Sequence, residues 1–105
     1  MAATVGAPIV EGVPGETPVS SHFDVTPDTS YPTGGYAITA AQAGFSANIR
    51  NLVAGLALLG ATYYYAFWDR VNGKLKFIVA TTGVEVTAAT NLSTMTPVRC
   101  TAWGD

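Results

Sequence analysis

The chain has 105 residues, 49% of them apolar and only 11% charged, with a formal net charge of −2 at pH 7. That length fits one domain with one modest core, and a charge fraction under half the roughly 25% usual in soluble domains leaves little to keep an isolated surface in water. The five basic residues, Arg50, Arg70, Lys74, Lys76 and Arg99, are scattered without a basic run, which excludes the electrostatic footprint of a nucleic-acid binder.

Residues 1–20 hold three prolines and three glycines, with Val5, Ile9, Val10 and Val13 set apart among them. They carry no helical period and no sustained strand period. This segment is expected to be an extended arm that becomes ordered only by lying on another surface, and residues 21–105 the domain proper. A plain linker would be polar, so the four apolar side chains are candidate contacts. The start of the chain also lacks the basic, continuously apolar profile of an export signal, and with Cys100 as the single cysteine the expected compartment of synthesis is a reducing cytoplasm.

From Val19 the stretch VSSHFDVT alternates, with Val19, Ser21, Phe23 and Val25 on one face of a half-buried strand. Pro27 ends it. Asp28 then reads as a turn former for Thr29 and Ser30, and Tyr31-Pro32-Thr33-Gly34-Gly35-Tyr36 specifies a backbone shape, two tyrosines flanking residues suited to a tight turn. Thr39 and Gln42 have the spacing of a capping box and Gly44 that of a stop, so at most one turn of helix is expected there.

Ile49 to Leu59 is apolar enough for either helix or strand; its glycine and its neighbours favour strand. The uncharged run from Leu52 to Trp68 approaches the length of a membrane span, but Gly55, Gly60 and three central tyrosines divide it better into two strands breaking near Gly60-Ala61-Thr62. Asn72-Gly73 between TYYYAFWDRV and KLKFIVA predicts a two-residue type I′ hairpin pairing Val71 with Lys74 and Asp69 with Lys76. One face of that hairpin, through Tyr64, Ala66, Trp68, Leu75, Phe77 and Val79, is apolar. The other becomes apolar toward its base through Tyr65, Phe67 and Ile78, as it would if a second layer or another subunit covered it. Val84 to Thr87 and Pro97 to Trp103 alternate again, with Val98, Cys100 and Ala102 facing in. The fold class is therefore all-β: a small antiparallel β-sandwich or jelly-roll-like barrel with an extended N-terminal arm.

No residue pattern carries chemistry. His22 is the one histidine, and Ser20 and Asp24 lie beside it on the same side of a strand, so it reads as a surface or hydrogen-bonded structural group. Metal-ligand spacing is absent, Thr33-Gly34-Gly35 lacks the lysine of a phosphate loop, and Cys100 reads as a small buried apolar residue. No catalytic residue, metal or cofactor is expected. The candidate interface is Val5, Ile9, Val10 and Val13 on the arm, Tyr31 and Tyr36 at the turn, and Tyr65, Phe67 and Ile78 on the second hairpin face.

The order of these pieces resembles small structural proteins of tailed bacteriophage virions. The residues that carry the likeness are Asp28 to Gly35, Ile38 to Ser46, Tyr63 to Trp68, Asn72 to Lys76, Val84 to Val86, Asn91 to Ser93 and Val98 to Gly104, within residues 22–105. The resemblance implies a non-enzymatic capsid decoration, or cement, protein on the capsid surface of the virion: a β-sandwich, often a homotrimer, that clamps neighbouring major capsid proteins. No nucleic acid and no membrane are expected as partners. Alternatives are a tail, neck or baseplate component, a carbohydrate- or receptor-binding module using Tyr31, Tyr36 and Trp103, and a membrane-active protein using the run from Leu52.

Overall fold

The computed structural model describes residues 3–11 and 19–105. Val13 lies outside the described residues. Among the described residues nine strands follow in chain order: β1 Thr4–Val5, β2 Ile9–Glu11, β3 Val19–Thr26, β4 Tyr36–Ala37, β5 Ile49–Leu59, β6 Thr62–Asp69, β7 Lys74–Val79, β8 Val84–Glu85 and β9 Val98–Gly104. All nine belong to one antiparallel sheet with the order β1-β3-β9-β5-β6-β7-β4, in which β2 shares the β3 edge with β1 and β8 shares the β7 edge with β4. The sheet curls into a half-barrel, all-β as its alternating segments predict.

Alternation explains which side is filled. Along β9 the odd-even pattern buries Val98, Cys100, Ala102 and Gly104 and leaves Arg99 exposed, and along β3 it buries Ser21, Phe23 and Val25. The two strands pair from Val19–Gly104 to Val25–Val98, so their inward rows meet without a break. Opposite the sheet, the core is completed by side chains from connecting segments: Tyr31, Ile38, Ala43, Phe45, Val86, Leu92 and Met95. Two connections, 27–48 and 86–97, thus provide much of the second layer expected of a sandwich.

The 39–44 segment is one reciprocal turn. Thr39 N–H donates to Gln42 Oε1 (2.9 Å), Gln42 N–H donates to Thr39 Oγ1 (3.1 Å), and no helix continues beyond it. The arm rests on it. A Cβ at Gly44 would meet Val10 Cγ2 at 2.6 Å and Pro8 Cγ at 3.1 Å.

Two expectations change. The arm contains short strands: β1 pairs Thr4–Thr26 and Val5–Val25, β2 pairs Ile9–His22 and Glu11–Ser20, and Gly6 N–H donates to Asp24 O at 2.8 Å. A free β3 edge supplies a ready row of backbone partners, so stretches too short to announce themselves by period can still join the ladder. The surface on which the described part of the arm lies is therefore this chain's own sheet.

The hairpin register is also different. Asp69 pairs with Lys74, Phe67 with Lys76 and Trp68 with Leu75, so the loop has four residues, Arg70 to Gly73. Asp69 accounts for the longer loop: its backbone carbonyl accepts from Gly73 N–H (2.8 Å), and its carboxylate accepts from Asn72 N–H (3.3 Å) and Nδ2 (2.8 Å). The Asn72 partner, before the Lys76 charge, holds the Asp69 carboxyl below its ordinary range. A shift of two positions leaves every side chain on its predicted face.

Gly73 has φ +65 with nothing within 4 Å of an added Cβ, so Gly73→Val tests conformation alone. We expect it to lower stability by about 1 to 3 kcal/mol, read as a fall in the thermal midpoint. An unchanged midpoint would show that the left-handed turn is not required.

Candidate functional site

Tyr31 and Tyr36, expected at an interface, are each 1% exposed and belong to the core. With Phe77 they form an edge-to-face triad, ring centroids 5.6 to 6.2 Å apart. Burial is feasible because both hydroxyls have partners inside. Tyr31 Oη accepts from Phe77 N–H (3.1 Å) and donates to Glu85 Oε2 (2.8 Å), and the same carboxylate oxygen accepts from Gly34 N–H (2.9 Å). Tyr36 Oη donates to Asp28 Oδ1 (2.9 Å) and accepts from Asp28 N–H (3.2 Å), while Ser30 N–H donates to the same Oδ1 (3.0 Å).

Burial, followed by the neighbouring Glu85, pushes the Tyr31 hydroxyl well above its ordinary pKa; burial with Asp28 pushes Tyr36 up to about 12. Both phenols stay protonated donors, which is what a structural clasp needs. The Tyr-Pro-Thr-Gly-Gly turn is thus fastened to β7 and β8 and supports the core. Gly35 N–H donates to Pro32 O (3.0 Å) with Gly34 at φ +91, the geometry of a type II turn.

His22 links three strands: Nδ1 lies 3.1 Å from Thr101 Oγ1 and Nε2 2.9 Å from Glu11 Oε1. Asp24 and Arg99 pair beside it at 2.5 Å. The hollow next to this group, about 230 Å³, is bounded on one side by Gly6, Ala7 and Ile9 of the arm. A second hollow of about 410 Å³ is lined by Tyr64, Val79, Val86, Thr82, Thr87 and Glu85, and the Glu85 carboxylate there already accepts from Tyr31 O–H and Gly34 N–H. Among the described residues there is no group of three or more His, Cys, Asp or Glu placed to hold a metal ion, and no helix is long and apolar enough to cross a membrane.

Cys100 is fully buried, and burial pushes its thiol up to about 12. Thiolate is the reactive form, so a thiol-specific chromogenic disulfide should leave the native protein unlabelled at pH 8 and label it fully in denaturant. Rapid labelling of the native state would contradict the buried placement.

What stands out is the outer face of the β5–β6 hairpin. Val53 (52% exposed), Leu56 (65%), Tyr63 (54%), Tyr65 (38%) and Phe67 (42%) lie there together. The cross-strand pairs are Val53–Phe67, Leu56–Tyr65 and Leu58–Tyr63, an aliphatic row on β5 beside an aromatic row on β6. A β-bulge creates this row. The register shifts by one between Val53 and Leu56, so Leu52 and Ala57 are buried while Leu56, which strict alternation from Leu52 would turn inward, faces out.

Beside the strip on β7, Lys76 lies with its Nζ 5.8 Å from the Phe67 ring centroid and 3.9 Å from Asp69 Oδ2. Tyr65 and Phe67, candidate contacts from the sequence, both lie on this exposed face. Ile78, opposite Tyr65, is 6% exposed and does not contribute surface, since Tyr65 and Glu85 flank it on the neighbouring strands. On the arm Ile9 (68%) and Val10 (44%) are exposed and Val5 is half-buried against the core. Trp103 is half-buried rather than a free aromatic platform.

No family model matches the chain, and no curated protein or solved structure matches it.

Proposed function

We propose that this is a structural protein of a tailed-bacteriophage virion, binding the outside of the capsid as a homo-oligomer and stabilising contacts between major capsid proteins. The observation that carries this reading is the outer strip on β5 and β6. A contiguous row of exposed aliphatic and aromatic side chains, in a chain only 11% charged, is a surface suited to cover by another protein. The motif order from Asp28 to Gly104 supports the virion setting, and the described charges are largely engaged in surface pairs such as Arg50–Asp105 and Arg99–Asp24. Fixed shape is the property such a protein supplies, and the clasped Tyr31–Glu85–Gly34 turn and the two-sided pairing of β9 are devices for fixing it.

The test is co-sedimentation of the purified protein with undecorated capsids of its parent phage. Saturable binding at a fixed number of copies per capsomer is expected, and absence of binding overturns the reading. Deleting Met1 to Thr17 removes β1 and β2 and bares the β3 edge. Loss of binding with retained fold would make the arm a contact with the shell, whereas full binding would leave that to the domain.

A further inference from the structure

We infer that the outer strip is covered by a second copy of this chain, in a face-to-face dimer whose two-fold axis runs along the strands between β5 and β6. The inference rests on reading the strip as an assembly surface, and it names the occupant.

Area comes first. Given their exposures, Val53, Leu56, Tyr63, Tyr65 and Phe67 present on the order of 500 Å² of largely apolar surface, near the top of what a typical monomer shows. A stable interface takes roughly 800 Å² from each partner. The strip is the right size for the apolar centre of one such interface, with the polar residues around it as the rim.

Charge comes second. The strip itself holds no charged side chain; of the charges flanking it, Lys76 on β7 already faces Asp69 and the Phe67 ring, and Arg99 on the outward row of β9 is paired with Asp24. It therefore offers no charge for a different protein to complement, while an uncharged apolar centre is characteristic of permanent contacts between like subunits. A protein with so few charges also needs this face covered from the time it is made, before any shell is present.

Symmetry comes third. A two-fold contact requires a self-complementary patch. Rotation about an axis parallel to the strands and midway between β5 and β6 carries β5 of one copy over β6 of the other. The cross-strand partners lie level with each other, so Leu56 of one copy meets Tyr65 of the second, Val53 meets Phe67, and Leu58 meets Tyr63. Each aliphatic side chain falls on an aromatic one. Sheets packed face to face lie about 10 Å apart with their mean strand directions within about 30° of each other, which includes the near-parallel arrangement this axis gives. The homotrimer expected from the resemblance would instead need two different patches per subunit.

Sedimentation velocity of the full chain at micromolar concentration, without capsids, decides the matter. The inference expects a dimer that Leu56→Glu weakens by roughly 30-fold or more, since the new carboxylate would be buried unpaired, with an unchanged far-ultraviolet dichroism spectrum. Leu56→Cys provides an independent readout, because the native Cys100 is buried and silent. A short bismaleimide should link two Leu56→Cys copies and fail to link copies carrying Val71→Cys at the hairpin tip, where Val71 is 93% exposed.

A wild-type monomer, a trimer, or a dimer indifferent to Leu56→Glu would each overturn the inference. If Leu56→Glu does not fold, the cross-linking pair decides. A monomer that still binds capsids would leave the capsid reading standing and assign the strip to the shell; a dimer that binds no capsid would do the reverse.

Discussion

Gly35→Ala should be among the most damaging single-methyl changes in the protein, costing on the order of 3 to 5 kcal/mol. Gly35 sits at φ +100, and a Cβ built there would lie 2.4 Å from Leu75 O, 2.7 Å from Leu75 C and 2.9 Å from Lys76 Cα. Every one of those neighbours is backbone of β7, which is hydrogen-bonded to β6 on one edge and to β4 and β8 on the other, so it has no side chain to swing aside. The methyl must push the Tyr31–Tyr36 turn off the sheet or bend the sheet. Against a total stability of roughly 5 to 15 kcal/mol, such a loss would bring the urea midpoint close to native conditions. A loss below about 1 kcal/mol would mean that the turn does not approach β7 this closely.

Tyr31 should show the second largest effect, and two substitutions divide it. Tyr31→Ala removes a ring that is 1% exposed and packed edge-on against Tyr36 and Phe77, for an expected loss of about 3 to 5 kcal/mol. Tyr31→Phe keeps the ring and removes only the hydroxyl, leaving Phe77 N–H without its side-chain acceptor and Glu85 with only Gly34 N–H, for about 1 to 3 kcal/mol. Combining Tyr31→Phe with Glu85→Ala should cost less than the two separately, because each alone removes the same hydrogen bond. Strict additivity would show that the clasp between Tyr31 and Glu85 contributes nothing as a pair.

The alternating strands were legible because one face of each meets the core. In β3 and β9 the inward rows Ser21, Phe23, Val25 and Val98, Cys100, Ala102 follow directly from period two. The hairpin faces were legible and its register was not. Asn72-Gly73 is the strongest short signal for a two-residue loop, but Asp69 captures Asn72 and lengthens the loop to four, a competition between local hydrogen bonds that residue preference alone does not resolve.

The bulge in β5 left no mark beyond Gly55. Its effect is to turn Leu56 outward against strict alternation, whereas the outward placing of Tyr65 and Phe67 follows from period two on the regular β6. Tyr31 and Tyr36 were misplaced for a different reason. A tyrosine at a turn is at home with its hydroxyl wet, and the Tyr31 partner that makes burial feasible, Glu85, lies 54 residues away in sequence. The arm strands were hidden because their ladder is borrowed from β3.

On the proposed reading this protein acts by fixed shape, joining its neighbours into a stiffer shell. The direct measurement is the temperature at which DNA-filled capsids of the parent phage release their DNA, followed as the purified protein is added to undecorated particles. The release temperature should rise with bound protein and level off when its sites are full, and Gly35→Ala, with the turn displaced from β7, should give a smaller rise. A release temperature that stays constant while the protein is bound at saturation would contradict it.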